Sequence, residues 1–434
     1  MQDDLREILA AGLAAADPAD AVRRSLRVDG SEISVGGRAF EAGSVSVVAA
    51  GKAAGAMARA AVEVLGDKIS GGIVVTKDDH DPGPEGLETV FSSHPEPDER
   101  GVEAARKARE LAESLEDNDL LLALISGGAS ALLADPGEGI GLNELKRLTG
   151  DLLRSGADIS EINTVRKHVS TLKGGGLANL AAPAPTLALL LSDVVGDEPS
   201  SIASGLTAPD PTTLEGARSV LERYGIEPPE SVTRHLATAE ETPKPGDDLF
   251  DKVVNVVCGG GRHAAEAAVE KARELGYAPL LLSTFFTGDA RGAASMYAAV
   301  IRESLASGNP VTPPCAIVGA GEATVTVRGD GTGGPNQEFS LALALELEGV
   351  EGWAAFSVDT DGNDGPTEAA GALVDGGTAA AIRYGGADPE EAMSNNDAYP
   401  ALEAGEALLV TGPTGTNVND LRVALVKDPD YGGT

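Results

Sequence analysis

Short apolar runs alternate with helix-forming segments along almost the whole of this chain, and that alternation restricts it to a mixed α/β architecture. Runs at 45–50, 72–76, 88–93, 120–125 and 186–191 have strand length and composition. Between them, 53–65 and 98–115 read as helices, the second opening on Asp98-Glu99, which suits the helix dipole. The order predicts a parallel sheet with helices on both faces. A second series follows: strand 253–257, helix 263–275, strand 279–283, helix 290–307, a hairpin from 315–318 and 323–327, and a helix near 337–347. Strands at 354–358, 407–410 and 423–426 complete it. The most linker-like stretch is ETPKPGDD at 241–248. The expected organisation is a Rossmann-like N-terminal α/β domain over 1–238 and a second α/β domain over 239–434.

Charge narrows what such a chain binds. Asp and Glu number 68 against 33 Lys and Arg, a formal net charge of −35. Such a surface repels nucleic acid and anionic membrane. The acid is dispersed rather than gathered in a tail, which reads as adaptation to a salt-rich cytoplasm, as in a halophilic archaeon. Cys258 and Cys315 lie in no metal-ligand spacing and are too few for a disulfide framework. The first residues, MQDDLREILAAGLAAADPAD, read as an amphipathic helix rather than a signal peptide. No apolar run reaches membrane-spanning length. A cytoplasmic, soluble protein is expected, and assembly into a homo-oligomer is left open.

Against this acidic background, windows without acid stand out. From 162 to 192 there is no Asp or Glu, yet Arg166, Lys167, His168 and Lys173 lie there, followed by three glycines. The window 42–62 is also acid-free and holds Lys52 and Arg59. Charges without partners are rarely buried, so these islands mark places where an anion approaches. Three loops have the composition to hold one. Ser126-Gly127-Gly128-Ala129-Ser130 joins a strand to a helix and aims backbone N–H groups at an anion. Gly51-Lys52 adds an ammonium, and 411–417 (TGPTGTN) is a hydroxyl-rich turn. The P-loop pattern and the GxSxG elbow are missing, and no GxGxxG fingerprint follows the first strand. The run 354–358 ends in Asp359, Asp361 and Asp364, interleaved with Gly362 and Gly365. Carboxylates at the end of a buried strand suit a hydrated Mg²⁺ that also touches substrate phosphates. A turn whose Asp side chains cap the next helix accounts for the same residues. The five histidines form no metal cluster; His94 and His168 read as structural or substrate-orienting residues.

Longer motifs carry a resemblance. VVAAGKAAGAMA at 47–58, SHPEPDERG at 93–101, LISGGASALL at 124–133 and INTVRKHVSTLKGGGLA at 162–178 resemble segments of the glycerate 2-kinases, whose C-terminal part is called MOFRL. LLSDVVGDEPSSIASGLTAPDPTT at 190–213, GGPNQEFSLALAL at 333–345, DTDGNDGPTEAAGALVD at 359–375 and TGPTGTNVNDL at 411–421 continue it in family order over nearly the whole chain. The resemblance implies ATP-dependent phosphorylation of D-glycerate to 2-phosphoglycerate with a divalent metal, usually Mg²⁺. It also implies two α/β domains, the second MOFRL-type, with the active site in the cleft between them. Lys52 matches the lysine of the family's GK-A-A motif. Many members have Arg where this chain has Pro335; Arg166, Lys173 and Arg328 are candidate stand-ins.

In-line phosphoryl transfer asks mainly for positioning and charge neutralisation. The expected catalytic residues are Lys52, Asp193 and Arg166. Phosphate or substrate binding is expected from Ser126, Gly127, Gly128, Ala129, Ser130, Lys173, Asn336, Gln337 and Glu338. Asp359, Asp361 and Asp364 are the expected metal ligands, and Asp193 competes with them for the roles of ligand and proton acceptor. Two other classes stay open: a hydroxypyruvate reductase-like oxidoreductase, against which the missing dinucleotide fingerprint counts, and a non-catalytic sugar-acid binding module, which has no need of Lys52 or the Asp loop.

Overall fold

The structure, a computed structural model, describes residues 1–427. The chain divides into two compact units. One holds 18–192 and 197–258; the other holds 1–17, 193–196 and the chain from 259 onward.

The first unit is built on a six-stranded sheet in the order Glu88–Ser92, Ile69–Lys77, Ser44–Ala50, Asp119–Ile125, Thr186–Leu191, Val253–Gly259. The first four of these pairings are parallel. Ser44–Ala50 and Asp119–Ile125 lie at the centre and are buried beyond their first residue, which is why they read as unbroken apolar runs. The helix Ala54–Leu65 packs on them through small buried residues, Gly55, Ala58, Ala60 and Ala61. Helix Glu99–Glu113 begins where the Asp98 carboxylate accepts from the N–H groups of Arg100 at 3.1 Å and Gly101 at 3.2 Å. Helices Leu142–Arg154, Ile159–His168, Leu214–Arg223 and Glu230–Thr238 share a separate core around Leu148, Leu152, Val165, Ala217 and Leu236. A three-stranded antiparallel meander, Leu26–Asp29, Glu32–Val35 and Arg38–Glu41, was not expected. Its strands are four residues long and largely exposed, so they lack the apolar signal.

The second unit carries a mixed sheet in the order Ala278–Asp289, Cys315–Thr324, Asp420–Val426, Trp353–Asp359, Gly371–Asp375, Leu408–Leu409. The first pairing is parallel and the rest are antiparallel. The expected hairpin over 315–327 is one strand, Cys315–Thr324. Gly319 and Gly321 resemble turn residues in sequence. In the fold they sit within the strand, where a side chain would strike the Tyr297 hydroxyl and the Phe286 backbone. Helix Pro335–Glu346 is buried on nearly every side.

The boundary expected at 238/239 does not coincide with these units. Helix Gln2–Ala15 buries Leu5, Ile8 and Leu9 against Ala265 and Ala268 of helix Gly261–Glu274 and against Leu421 and Val423, all in the second unit. Strand Val253–Gly259, expected to open the second domain, instead extends the first sheet. An amphipathic helix shows which face it buries but not which sheet receives it.

Candidate active site

Parallel pairing brings the carboxyl ends of Ser44–Ala50, Glu88–Ser92 and Asp119–Ile125 to one edge of the first sheet, so Gly51-Lys52, His94 and Ser126-Gly127-Gly128 all emerge there. The two turns are bonded to each other. Ser126 N–H donates to the Ala50 carbonyl at 2.9 Å, Lys52 N–H to the Gly127 carbonyl at 2.9 Å, and Ala53 N–H to Ser126 Oγ at 3.0 Å. Gly51 has φ +127, and a Cβ there would lie 2.5 Å from the Ser126 carbonyl oxygen, so only glycine fits. Gly128 has φ +88, and a Cβ there would lie 3.2 Å from the His94 ring and 3.4 Å from Lys52 Cγ. The Lys52 side chain and the His94 imidazole therefore flank the bare Gly128 backbone. Among the described residues, Lys52 makes no ion pair and the Gly127 and Gly128 N–H groups have no protein acceptor. Burial, then the field of Lys52, holds the His94 imidazole below its usual range. Unpaired ammonium, free N–H groups and neutral imidazole together form a receptor for an anion.

A second basic group lies on the same unit. Helix Ile159–His168 starts at Asp158, whose carboxylate accepts from the Glu161 N–H at 2.9 Å. Its last turn carries Arg166, Lys167 and His168. Lys167 and His168 are structural. Lys167 Nζ donates to Asp210 at 3.1 Å, and His168 Nδ1 lies 2.8 Å from the Thr164 carbonyl, with Glu241 3.4 Å from its other nitrogen. Arg166 and Lys173 have no hydrogen-bonded or ion-paired side-chain partner among the described residues. Burial lowers the Arg166 guanidinium from its usual value. Burial pushes the Lys173 ammonium down to about 8, Arg166 adding to the effect and Asp135 opposing it.

On the second unit the acidic side chains gather at one end of the sheet. Asp359 ends its strand opposite Asp420 on the neighbouring strand. The Thr411–Asn417 turn packs on the Asp loop, with Thr414 N–H 3.3 Å from the Asp361 carbonyl and Thr414 Oγ1 2.5 Å from the Thr360 carbonyl. Burial, then Asp361 and Asp420, drives the Asp359 carboxyl up to about 8. Burial and Asp420 lift Glu322, whose field also includes Asp193. Asp193 belongs with this unit, and its carbonyl accepts from Asn419 Nδ2 at 2.8 Å.

Several expected site residues are committed to the fold. Asp364 is 1 % exposed. One oxygen accepts from the N–H and Nδ2 of Asn336, both at 3.1 Å, and the other from the Gln337 N–H at 2.8 Å. It therefore anchors the start of helix Pro335–Glu346, as in the helix-capping reading, with both oxygens engaged there. Asn336 also donates to Asp420 at 2.7 Å and accepts from Ser357 at 2.5 Å. Gln337 donates to Thr367 at 2.6 Å. Glu338 accepts from Arg291 and from Asn396, each at 2.8 Å. These three side chains are buried and hold the polar core of the second unit together. Asp359, Asp361 and Asp364 do not converge on one point: among the described residues no three His, Cys, Asp or Glu side chains are arranged to hold a metal ion. Of the anion turn, Ser126 Oγ accepts from the Ala53 N–H, Ala129 is buried, and Ser130 Oγ lies 3.1 Å from Ser204 Oγ in a polar row that remains open to a ligand. Pro335 takes the first turn of its helix, and Arg328 is exposed. Asn163 and Ser204 were not assigned a role, and His94 was read only as a structural or substrate-orienting residue. His94 had a signal, its place after the strand 88–93; Ser204 had none.

The raised carboxyls set a pH dependence. An unfolded Asp titrates near about 3.9. Burial lifts Asp364 to about 7 and, with its neighbours, Asp359 to about 8. Below the unfolded value both groups are protonated in either state and no penalty arises. As pH climbs toward the folded values, the unfolded chain ionises first and stability is lost. Melting temperature in high salt without divalent ions is expected to fall between pH 5 and 8, and Asp359→Asn to flatten that slope. Parallel slopes for the two proteins contradict the assignment.

Two α/β units, one with an anion-receiving strand edge and the other with a carboxylate-rich sheet end, define a class of protein that handles phosphorylated or acidic small molecules. Comparison with known proteins makes the class specific. The family model described as "Domain of unknown function (DUF4147)" matches residues 4–237, and that of the MOFRL family matches 315–420. The D-glycerate 2-kinase of Thermotoga maritima is 46% identical over 88% of this chain and 90% of its own. A putative hydroxypyruvate reductase of Agrobacterium vitis is 42% identical over 97% and 94%. The crystal structure of a glycerate kinase from Thermotoga maritima matches with a TM-score of 0.89 at 43% identity, over 97% of this chain and 98% of that one. The chain belongs to the MOFRL family of glycerate kinases. No helix among the described residues is long and apolar enough to cross a membrane.

Proposed function

We propose that the protein transfers the γ-phosphoryl group of ATP to the 2-hydroxyl of D-glycerate, giving 2-phosphoglycerate. The observation that carries this reading is Lys52, an ammonium beside the Gly127 and Gly128 N–H groups, all unpaired among the described residues, in a chain of net charge −35. The family relationship supplies the substrate. In phosphoryl transfer, preorganised donors stabilise charge on the equatorial oxygens. Lys52 and the Gly127-Gly128 N–H groups take that role. Arg166 and Lys173 bind anionic oxygens, Arg in a bidentate fork. The proton of the attacking hydroxyl passes to a carboxylate, and Asp193 and Asp359 are the two in contention. Asp359 has the raised affinity a proton acceptor needs.

A divalent cation that arrives with ATP supplies further neutralisation of phosphate oxygens. Mg²⁺ is commonly held by one or two carboxylates and waters rather than an all-protein cage. Asp359 and Asp361 fit that pattern, and Asp364 does not. The acidic surface suits a salt-rich cytoplasm.

The test is ADP release with D-glycerate and ATP, beside NADH and NADPH oxidation with hydroxypyruvate. ADP release that depends on D-glycerate is expected, with no change in nicotinamide absorbance. Nicotinamide oxidation without ADP release favours the reductase reading, which the name of one relative supports and the missing fingerprint opposes.

A further inference from the structure

Among the described residues, Arg166 and Lys173 are half-buried and buried cations whose side chains have no partners, and the chain around them explains why they stay that way. Among the described residues, the carboxylate whose field acts on Lys173 is Asp135. Asp135 is already saturated. It accepts from the Thr171 N–H at 2.6 Å, Thr171 Oγ1 at 2.5 Å, the Leu172 N–H at 2.8 Å and Ser170 Oγ at 3.4 Å, and it pairs with Arg109. Asp135 thus faces Arg109, with which it pairs, and Lys173, beside which Arg166 adds a further positive charge. Lys173 is only 5 % exposed. A buried ammonium left in this surplus is costly unless an anion comes to it.

The neighbouring backbone is strained in a way that places a hydroxyl. Ala203 and Ser204 have φ of +50 and +58, left-handed values that cost side chains with a Cβ. The loop is held there by Gly174 and Gly175, directly after Lys173. Their N–H groups donate to the Ser204 carbonyl at 3.0 Å and the Gly205 carbonyl at 2.7 Å. Ser204 Oγ then lies 3.1 Å from Ser130 Oγ and 3.3 Å from Asn163 Oδ1. Asn163 is one helical turn before Arg166, so both project from the same helix face. The Gly174-Gly175 backbone imposes this conformation, and the conformation carries Ser204 Oγ into a row of polar groups.

We propose that Arg166 and Lys173 bind the carboxylate of a small 2-hydroxy acid and that Ser204, with Ser130 and Asn163, recognises its hydroxyls. This deepens the function proposed above and rests on it for the identity of the acid. The planar guanidinium suits a carboxylate, and a row of hydroxyls suits a polyhydroxy chain. A phosphate is better served by the free N–H groups at Gly127 and Gly128.

The test is isothermal titration of D-glycerate and its uncharged amide, D-glyceramide, without ATP, on the parent protein, Lys173→Met and Ser204→Gly. The parent is expected to prefer glycerate over the amide by roughly 10²-fold, the usual size of a charge-assisted bond. Lys173→Met is expected to lose that preference by weakening glycerate alone. Ser204→Gly, which relieves the left-handed strain, is expected to weaken both ligands. Neither variant is expected to melt lower than the parent, since one removes an unpaired buried charge and the other a strained residue. A Lys173→Met protein that keeps the parent's preference overturns the proposal. In parallel steady-state kinetics, a change in Lys173→Met confined to the Michaelis constant for ATP also overturns it, since that makes this a nucleotide phosphate site. A parent that binds glycerate through Lys173 but transfers no phosphoryl group supports this site and removes the kinase reading, so the two claims fail separately.

Discussion

Lys52→Ala is expected to lower kcat by about 10²–10³, the usual effect of removing one preorganised electrostatic group, and to leave the melting temperature nearly unchanged. The reason lies in how Lys52 is held. Its backbone N–H is bonded to Gly127 and Gly51 before it admits no side chain, so the residue is fixed by the main chain alone. Its ammonium holds no carboxylate, so truncation leaves no orphaned partner in the fold. What is lost is the positive charge beside the Gly128 backbone. His94 does not replace it, because burial and Lys52 itself keep the imidazole neutral at ordinary pH. Lys52→Arg is expected to restore only part of the rate, since a planar fork does not reproduce a compact charge. Steady-state kinetics in both substrates, beside melting curves, decide the matter. A kcat within a few-fold of the parent, with only the Michaelis constant for glycerate raised, makes Lys52 a ground-state binder and moves the catalytic charge to Arg166 or Lys173.

Molar KCl is expected to raise both activity and thermal stability. Cations on the surface are shared rather than matched. Arg106 pairs with Glu103 and Glu110, Arg100 with Asp78 and Asp98, Arg23 with Asp20 and Glu63, and Arg383 with Glu348 and Glu390. Each such arginine leaves a carboxylate in excess, and exposed pairs contribute only about 0–1 kcal/mol each. The surplus acid repels itself until salt shortens the screening length to about 3 Å at 1 M. Relief of a few kcal/mol corresponds to roughly 5–10 °C, at about 2–4 °C per kcal/mol for units of this size. Melting curves from low salt to molar KCl measure it directly. A flat profile means the repulsion is already offset within the fold, and the reading as a protein suited to concentrated salt fails.

The strand edge of the first unit was legible because its signals are local. The run 45–50 ends in Gly51-Lys52 and the run 120–125 in Ser126-Gly127-Gly128, and parallel pairing must bring such ends together. The Asp loop was legible as a loop after a buried strand, but the roles within it were not. Asp361 and Asp364 look alike in sequence. Only the packing of helix Pro335–Glu346 against the loop shows that Asp364 serves the N–H groups of Asn336 and Gln337. Asn336, Gln337 and Glu338 read as ligand-binding because GGPNQE at 333–338 resembles a motif of the family. In the fold each finds its partner on a segment distant in sequence, at Asp420, Thr367 and Asn396 respectively. The left-handed turn at Ala203-Ser204 has no sequence signal, since neither residue favours positive φ. It is imposed by the Gly174-Gly175 segment bonded to it.

Phosphorus NMR of the product formed from D-glycerate and ATP, without any mutase present, tests the central claim most directly. A phosphate on the secondary carbon and one on the primary carbon have distinct proton couplings. The account predicts a single phosphoester on the secondary carbon, 2-phosphoglycerate, appearing in step with ADP. A dominant 3-phosphoglycerate signal, or no phosphoester while ATP is intact, contradicts it.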